Sequence, residues 1–171
     1  MNDRKQAIIE EIPRLRRYAR ALLRDRDAAD DLVQHSLERA LSRMESWSSG
    51  DSPRRGLFTI MHHLFVGQLR RTNRCVQALT AMPETVDGIA TPPRDDEHAS
   101  VEMLSALQQI GVERSAALVL VAVEGLSYAD AANALGISTG TLMSRIAGGR
   151  EELRSILDDV SRRKAFNVVQ K

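Results

Sequence analysis

The sequence predicts an all-α fold in which two small helical modules are joined by a flexible linker. Apolar residues recur at helical spacing along most of the chain, and no stretch shows the alternation expected of a strand. After residue 75 the pattern gives way to a segment with several prolines, and its roughly twenty residues exceed the usual length of loops within one domain. We therefore predict a first module at 1–75, a linker at 76–98, a second module at 99–157 and a basic tail at 158–171.

The composition agrees with two small helical modules and limits the possible functions. Of 171 residues, 43% are hydrophobic but only 4% are aromatic, which favours small aliphatic cores. The net charge of +1 conceals basic and acidic segments that alternate along the chain, an arrangement typical of a protein with both a nucleic-acid face and a protein face. Cys75 is the single cysteine, which excludes an internal disulfide and a multi-cysteine zinc site. Without a membrane-length apolar run or a signal-peptide core, we expect a cytoplasmic protein with no membrane insertion.

The first helix is predicted from Pro13 to Leu23, with a short lead-in helix before it. Proline suits the first turn of a helix because its missing N–H would have no partner there. One side of this helix carries the apolar residues Leu15, Tyr18, Ala19, Leu22 and Leu23.

Two further helices complete the first module. The second is predicted to begin at Asp27, with Asp30 at the capping-box position. Its apolar residues at helical spacing are Val33, Leu37, Ala40, Leu41 and Met44. The third is predicted to begin at Ser52-Pro53 and to end on basic residues. Its core side is predicted to contain Leu57, Ile60, Met61, Leu64 and Leu69.

The second module is predicted to contain helices at 101–110 and 112–123, followed by a helix-turn-helix. Ser127 is placed to cap the first helix of this motif, and Gly136 can take the left-handed conformation that ends it. Ser138 can cap the next helix, which continues past Leu153. Short polar groups and a cation on that helix suit base edges and phosphates. Glycine in such a turn can also be purely structural, so the motif alone leaves a role without DNA open.

The order and spacing of several segments resemble one bacterial family. Residues 15–34 and 37–41 resemble region 2 of extracytoplasmic-function (ECF) RNA polymerase sigma factors, and 57–62 and 68–71 resemble the rest of that region. Residues 125–150 resemble region 4. Within the family, the chain is most similar to the general-stress-response subgroup.

The resemblance implies a protein that binds core RNA polymerase at the β′ clamp and β flap, recognises promoter DNA and responds to an anti-sigma factor. The implied polymerase contacts are Asp30, Asp31, Leu32 and Gln34. The implied contacts to the −10 element are His62, His63, Gln68, Arg70, Arg71 and Arg74. The implied contacts to the −35 element are Ser138, Thr139, Thr141, Ser144, Arg145 and Arg150. The residues leave other interpretations open: Asp27 and Asp30 as helix caps, Asp31 as a solvated charge, and Phe58 as core.

The chain also departs from the family pattern. Gly56 stands where an aromatic residue is usual, His63 and Gly67 replace a common Asn and Asp, and Gly148 occupies a commonly basic position. The sequence therefore leaves two functions open: an initiating sigma factor, or a sigma-like mimic that titrates an anti-sigma factor. The retained arginines and the lack of room for a receiver domain favour the first. No phosphate loop, nucleophile elbow or zinc-ligand spacing is present, so we expect no enzyme, no cofactor and no metal.

Overall fold

A computed structural model describes residues 2–43, 47, 52–79 and 98–169, and this part of the chain contains helices and no strands. The helices are α1 (Asn2–Leu22), α2 (Arg26–Arg43), α3 (Pro53–Leu79), α4 (His98–Gln109), α5 (Val112–Leu118), α6 (Tyr128–Leu135) and α7 (Thr139–Val169), with a π turn at Val119–Val123 after α5. The predicted all-α class is confirmed. The greater part of the predicted linker, 80–97, lies outside the described residues.

Helix α1 corrects the prediction for the N-terminus, because it is continuous and Pro13 lies inside it rather than in its first turn. Proline cannot donate to the carbonyl four residues earlier, which belongs to Ile9. Both Pro13 and Ile9 are exposed, so water is available to that carbonyl. The proline is tolerated because it faces solvent, while Leu15, Tyr18 and Ala19 are fully buried.

Three predicted helix boundaries also change. Asp25, not Asp27, caps α2, because its Oδ1 accepts the Ala28 backbone N–H at 2.9 Å. Helix α3 continues past Arg74 to Leu79. Helix α7 continues through most of the predicted tail to Val169. In each case the apolar periodicity predicted the helix correctly, but not the residue at which it begins or ends.

The helix-turn-helix forms as the sequence predicts. Ser127 Oγ accepts the Asp130 backbone N–H at 3.1 Å and donates to the Asp130 carboxylate at 2.8 Å. Gly136 ends α6 in the left-handed conformation with φ of 66°, which costs glycine least. Ser138 Oγ accepts the Thr141 N–H at 3.1 Å and caps α7. These local bonds fix the angle between α6 and α7.

The two modules pack against each other. Helix α1 contacts α4 and α5, and α3 contacts α6. At the end of α1, Gln108 Nε2 donates to the carbonyls of Arg20 (2.7 Å) and Leu23 (3.3 Å), and Ser115 Oγ donates to that of Ala21 (3.3 Å). The last carbonyls of a helix have no partners within it. The second module therefore caps the C-terminus of a helix in the first.

A π turn shapes the segment that leaves α5. Across it the Glu124 N–H donates to the carbonyl of Val119 at 2.9 Å, and Gly125 follows with φ of 70°. The π turn is a rare local widening of a helix that occurs often at functional sites. Here the π turn places the Glu124 side chain against α1.

Two adjacent glycines in α7 should respond in opposite ways to alanine. A Cβ on Gly149 would lie 2.9 Å from Leu118 Cδ1 and 3.2 Å from Arg114 Cβ, whereas a Cβ on Gly148 would meet Arg114 no closer than 3.5 Å. We expect Gly149→Ala to destabilise by about 1–2 kcal/mol, because overpacking outweighs helix propensity.

The matched variant Gly148→Ala should stabilise by about 0.5–1 kcal/mol. Urea unfolding followed by circular dichroism measures both changes. Equal effects of the two substitutions would show that α5 and α7 do not approach as closely as the structure has them.

Candidate nucleic-acid and partner-binding surfaces

The first turns of α7 present polar side chains to solvent. Thr139, Thr141 and Ser144 are exposed, as is Ser138, the cap residue. Ser144 Oγ donates to the Thr141 carbonyl at 2.9 Å, and the hydroxyls of Ser138 and Thr141 share a hydrogen bond of 2.9 Å. Arg150 is exposed two turns further along. This face is chemically suited to base edges and phosphates, since its groups both donate and accept.

Arg145 is more enclosed than its neighbours on that face. Its side chain is 22% exposed, and Nη2 lies 2.7 Å from Oε2 of Glu113 in α5. An unpaired arginine would be costly to bury, and the structure avoids this cost by pairing Arg145 with Glu113. The guanidinium must loosen from Glu113, or share it, to reach DNA.

His62 and His63 in α3 lie in different surroundings, as adjacent helical positions do. His63 is exposed, but His62 is buried and its Nδ1 lies 3.1 Å from the hydroxyl of Tyr18. Burial lowers the pKa of His62 to about 4, with smaller contributions from the charges of His63 and Arg145. Burial also raises the pKa of the Tyr18 hydroxyl. A base contact from His62 would require its surroundings to open.

The basic part of α3 shares a groove with α2. Arg70 and Arg71 are exposed and Gln68 is half-buried. Arg74 lies in α3, and its side chain is outside the described residues. The open groove between α2 and α3 is lined by His35, Glu38, Arg39, Ser42, Arg43, Leu64, Gln68 and Arg71. The arginines from α2, Arg39 and Arg43, were not predicted to line this groove, although their four-residue spacing places them on one helix face.

The predicted partner-binding face of α2 is only partly at the surface. Asp31 is exposed. Asp30 Oδ1 lies 3.7 Å from Arg16 Nε, and Gln34 Nε2 donates to Glu38 Oε1 at 3.0 Å. Both pairs lie near solvent. Leu32 is fully buried, which corrects its assignment as a contact residue, because its place on the helical wheel faces the core. The surface that remains consists of Asp30, Asp31 and Gln34.

Trp47 explains the glycine at 56. A Cβ added to Gly56 would lie 3.2 Å from two carbons of the Trp47 ring. The backbone carbonyl of Trp47 also accepts a hydrogen bond from Arg4 at 3.0 Å. Glycine therefore leaves room for an aromatic ring supplied by another part of the chain. Phe58, two residues on, is core, and its ring meets that of Tyr18 edge-on at 5.4 Å.

Within residues 2–43, 47, 52–79 and 98–169, no group of three His, Cys, Asp or Glu side chains is arranged to hold a metal ion. Nor does any helix there combine the length and apolar character needed to cross a membrane.

Comparison with known proteins places both modules in one class. Residues 8–62 match the family model "Sigma2 domain of PhyR", and residues 100–153 match "Sigma-70, region 4". The chain is 35% identical over 156 residues to the ECF RNA polymerase sigma factor EcfG of Rhodopseudomonas palustris, covering 88% of this chain and 82% of the relative. It is 34% identical over 140 residues to the ECF sigma factor SigC of Mycobacterium tuberculosis, covering 78% and 72%.

Solved structures agree with this assignment. The sigma factor RpoE in complex with the anti-sigma factor NepR, from Bartonella quintana, superposes with a TM-score of 0.77 at 29% identity, over 92% of this chain and 98% of RpoE. CnrH, in complex with the cytosolic domain of CnrY, shares the fold with a TM-score of 0.65 at 22% identity, over 91% and 88%. The fold and the two modules are those of sigma-70 regions 2 and 4. The chain belongs to the ECF sigma factor family.

Proposed function

We propose that this chain initiates transcription by binding core RNA polymerase and directing it to promoter DNA. The observation that carries the proposal is the capped helix-turn-helix, with its exposed polar face, joined in one chain to a module with a basic groove. In this proposal α6 and α7 bind the −35 element, α3 and its groove bind the −10 region, and the acidic face of α2 docks on the polymerase. The chain then recruits a catalyst and performs no reaction of its own.

The groove between α2 and α3 supports the −10 assignment electrostatically. Arg39, Arg43 and Arg71 line it from both helices. Such a cluster attracts a nucleic-acid backbone without regard to sequence, and the attraction falls steeply with salt. His63 precedes the lining residue Leu64 in α3 and is exposed, so its ring is available to stack on an unpaired base.

We further propose that the chain serves a stress response and is held inactive by an anti-sigma factor. The support is its similarity to EcfG and to RpoE, which was solved with NepR. Apolar residues of the two modules that such a partner would be expected to cover are mostly core, since Leu32, Val33 and Leu118 are buried and Leu37 and Val121 are half-buried. Val123 stays 52% exposed. The partner is therefore expected to be an amphipathic helix that uses the remaining exposed apolar residues together with polar contacts.

The second candidate function is a mimic that titrates an anti-sigma factor without initiating transcription. It is favoured by the match of residues 8–62 to the sigma-like domain of PhyR. PhyR itself, described as an anti-anti-sigma factor, shares the fold with a TM-score of 0.55 at 16% identity over 48% of its chain. Coverage of most of EcfG favours the initiator instead.

Run-off transcription distinguishes the two candidates. Purified chain, core polymerase and a promoter of the general-stress-response type are combined, and full-length transcript is measured against core polymerase alone. We expect transcript that depends on the chain. Binding of an anti-sigma factor with no transcript on any such promoter would replace the initiator with the mimic.

The polymerase interface is tested by Asp31→Arg. The substitution replaces attraction by repulsion at an exposed position facing a basic target, so it should slow association about tenfold. Surface plasmon resonance with immobilised core polymerase at moderate salt measures the rate. Glu10→Arg makes the same charge change on an exposed part of α1 and should leave the rate near that of the unmodified chain. Equal rates for both variants would remove Asp31 from the interface.

A further inference from the structure

Contact between the two modules includes one deeply buried charge. Glu124 is only 1% exposed, and it follows the π turn in the second module. Its two carboxylate oxygens accept hydrogen bonds from Nε and Nη2 of Arg17 in α1, each at 3.1 Å. This bidentate geometry is the strongest form of a pair between arginine and a carboxylate. Arg17 itself is half-exposed, so it can leave the pair and be hydrated in place.

Whether the two modules are packed together determines whether the Glu124 carboxylate is buried or hydrated. A buried carboxylate that loses its only cation is strongly destabilised, whereas the same group in water is not. If the modules separate, α1 moves away from Glu124 and water reaches it. If the modules remain together, Glu124 depends on Arg17. The closed arrangement therefore depends on Arg17, because loss of this arginine leaves a buried, unpaired carboxylate that opening of the modules would hydrate.

Other contacts across the interface differ from this pair in kind. The bonds from Gln108 and Ser115 to the end of α1 are neutral. Arg55 and Asp130 form a second ion pair at 3.3 Å, but both side chains are about two-fifths exposed. Exposed pairs contribute little because water solvates the separated charges well. Arg17 and Glu124 are thus the contact in which a single charge change should matter most.

Closure also affects the face proposed to bind DNA. Helix α6 of the helix-turn-helix packs against α3, and Asp130 of α6 pairs with Arg55 of α3 at 3.3 Å. In the closed arrangement the helix-turn-helix therefore lies against the helix proposed to bind the −10 region.

We infer that the Arg17–Glu124 pair, here called the latch, holds the unbound chain closed and keeps the two faces proposed to bind DNA packed together until the modules separate. The expected effect on DNA binding rests on the proposed function, whereas closure by the latch does not. If only the open fraction of molecules binds DNA, the apparent dissociation constant is the intrinsic one divided by that fraction. Weakening the latch should then strengthen DNA binding without any new contact to DNA.

Distance measurement on the full chain tests closure directly. Spin labels are placed at Ser42→Cys in α2 and Ser155→Cys in α7, both exposed, in a Cys75→Ser background. Double electron–electron resonance then gives the distribution of distances between modules without DNA or polymerase. The chain with an intact latch should show one dominant short distance.

Arg17→Glu opposes two carboxylates across the interface and should raise the ratio of open to closed molecules at least tenfold. Arg16→Glu is the matched control, since it makes the same charge change one residue away, where the arginine pairs at 3.7 Å with Asp30 of its own module. Adding Glu124→Gln to Arg17→Glu removes the repulsion and should restore much of the closed population. Circular dichroism confirms that each variant is folded.

A −35 duplex supplies the second readout. Arg17→Glu should bind it more tightly than Arg16→Glu, because less free energy is spent on opening. A folded Arg17→Glu variant with an unchanged distance distribution, or an unmodified chain with no closed population, would overturn the inference. A shifted distribution with no DNA binding by any variant would uphold the latch and instead refute the proposed function.

Discussion

Replacing Arg145 with alanine is expected to weaken binding to a −35 duplex by roughly tenfold to a hundredfold, and to relax preference at one base pair. A bidentate contact from arginine to guanine contributes about 1–3 kcal/mol of discrimination. Arg145 lies one turn beyond Thr141 on the exposed polar face, and its guanidinium is already orientated by Glu113 at 2.7 Å. Fluorescence anisotropy with duplexes that differ at single positions measures both affinity and preference.

Arg150→Ala provides the matched comparison, because Arg150 is exposed and lies further along the same helix. If Arg150 contacts only phosphate, its loss should weaken all duplexes equally and reduce the salt dependence by about one charge. Uniform weakening by Arg145→Ala would assign Arg145 to the backbone as well. Unchanged affinity for every duplex would remove Arg145 from the DNA interface.

The stability of the fold should fall as the pH is lowered from about 6.5 to about 4. In the folded chain burial lowers the pKa of His62 from 6.5 to about 4. In that interval the unfolded chain binds a proton on His62 that the folded chain does not, so acid favours unfolding. A shift of this size corresponds to about 3 kcal/mol, present in full at pH 7 and lost by pH 4.

Urea unfolding at a series of pH values, followed by the fluorescence of Trp47, measures this dependence. His62→Gln should flatten the part of the curve between pH 4 and 6.5, since glutamine can still bond to Tyr18 but does not titrate. His63→Gln is the control, because His63 is exposed and its removal should leave the slope nearly unchanged. An identical slope for the unmodified chain and His62→Gln would contradict the assignment.

Features set by neighbouring residues could be predicted from sequence. Ser127, Gly136 and Ser138 act within three or four residues of themselves, so their capping roles follow from local spacing. Helix ends were harder to predict where two residues could serve the same purpose. Asp25 and Asp27 can both cap a helix, and the choice between them depends on how tightly α1 and α2 are connected.

Features set by distant residues could not be predicted. Arg17 and Glu124 are separated by 107 positions, and no periodicity in either helix indicates that they meet. The same holds for Gly149, whose lack of a side chain has meaning only once α5 lies against α7. The polar face of the recognition helix was predictable, but the packing of α6 against α3 was not. Local spacing therefore predicts helix caps and exposed faces, whereas it does not predict which other helices cover them.

The arrangement of the two modules depends on the number of residues in the π turn at Val119–Val123. A π turn holds one more residue than the α-helical turn it replaces. Deleting a single residue there would remove this widening and shorten the path from Leu118 to Glu124, so we expect the carboxylate to lose its two hydrogen bonds with Arg17. The number of residues in this segment therefore bears on whether the modules stay together, independently of the faces proposed to bind DNA.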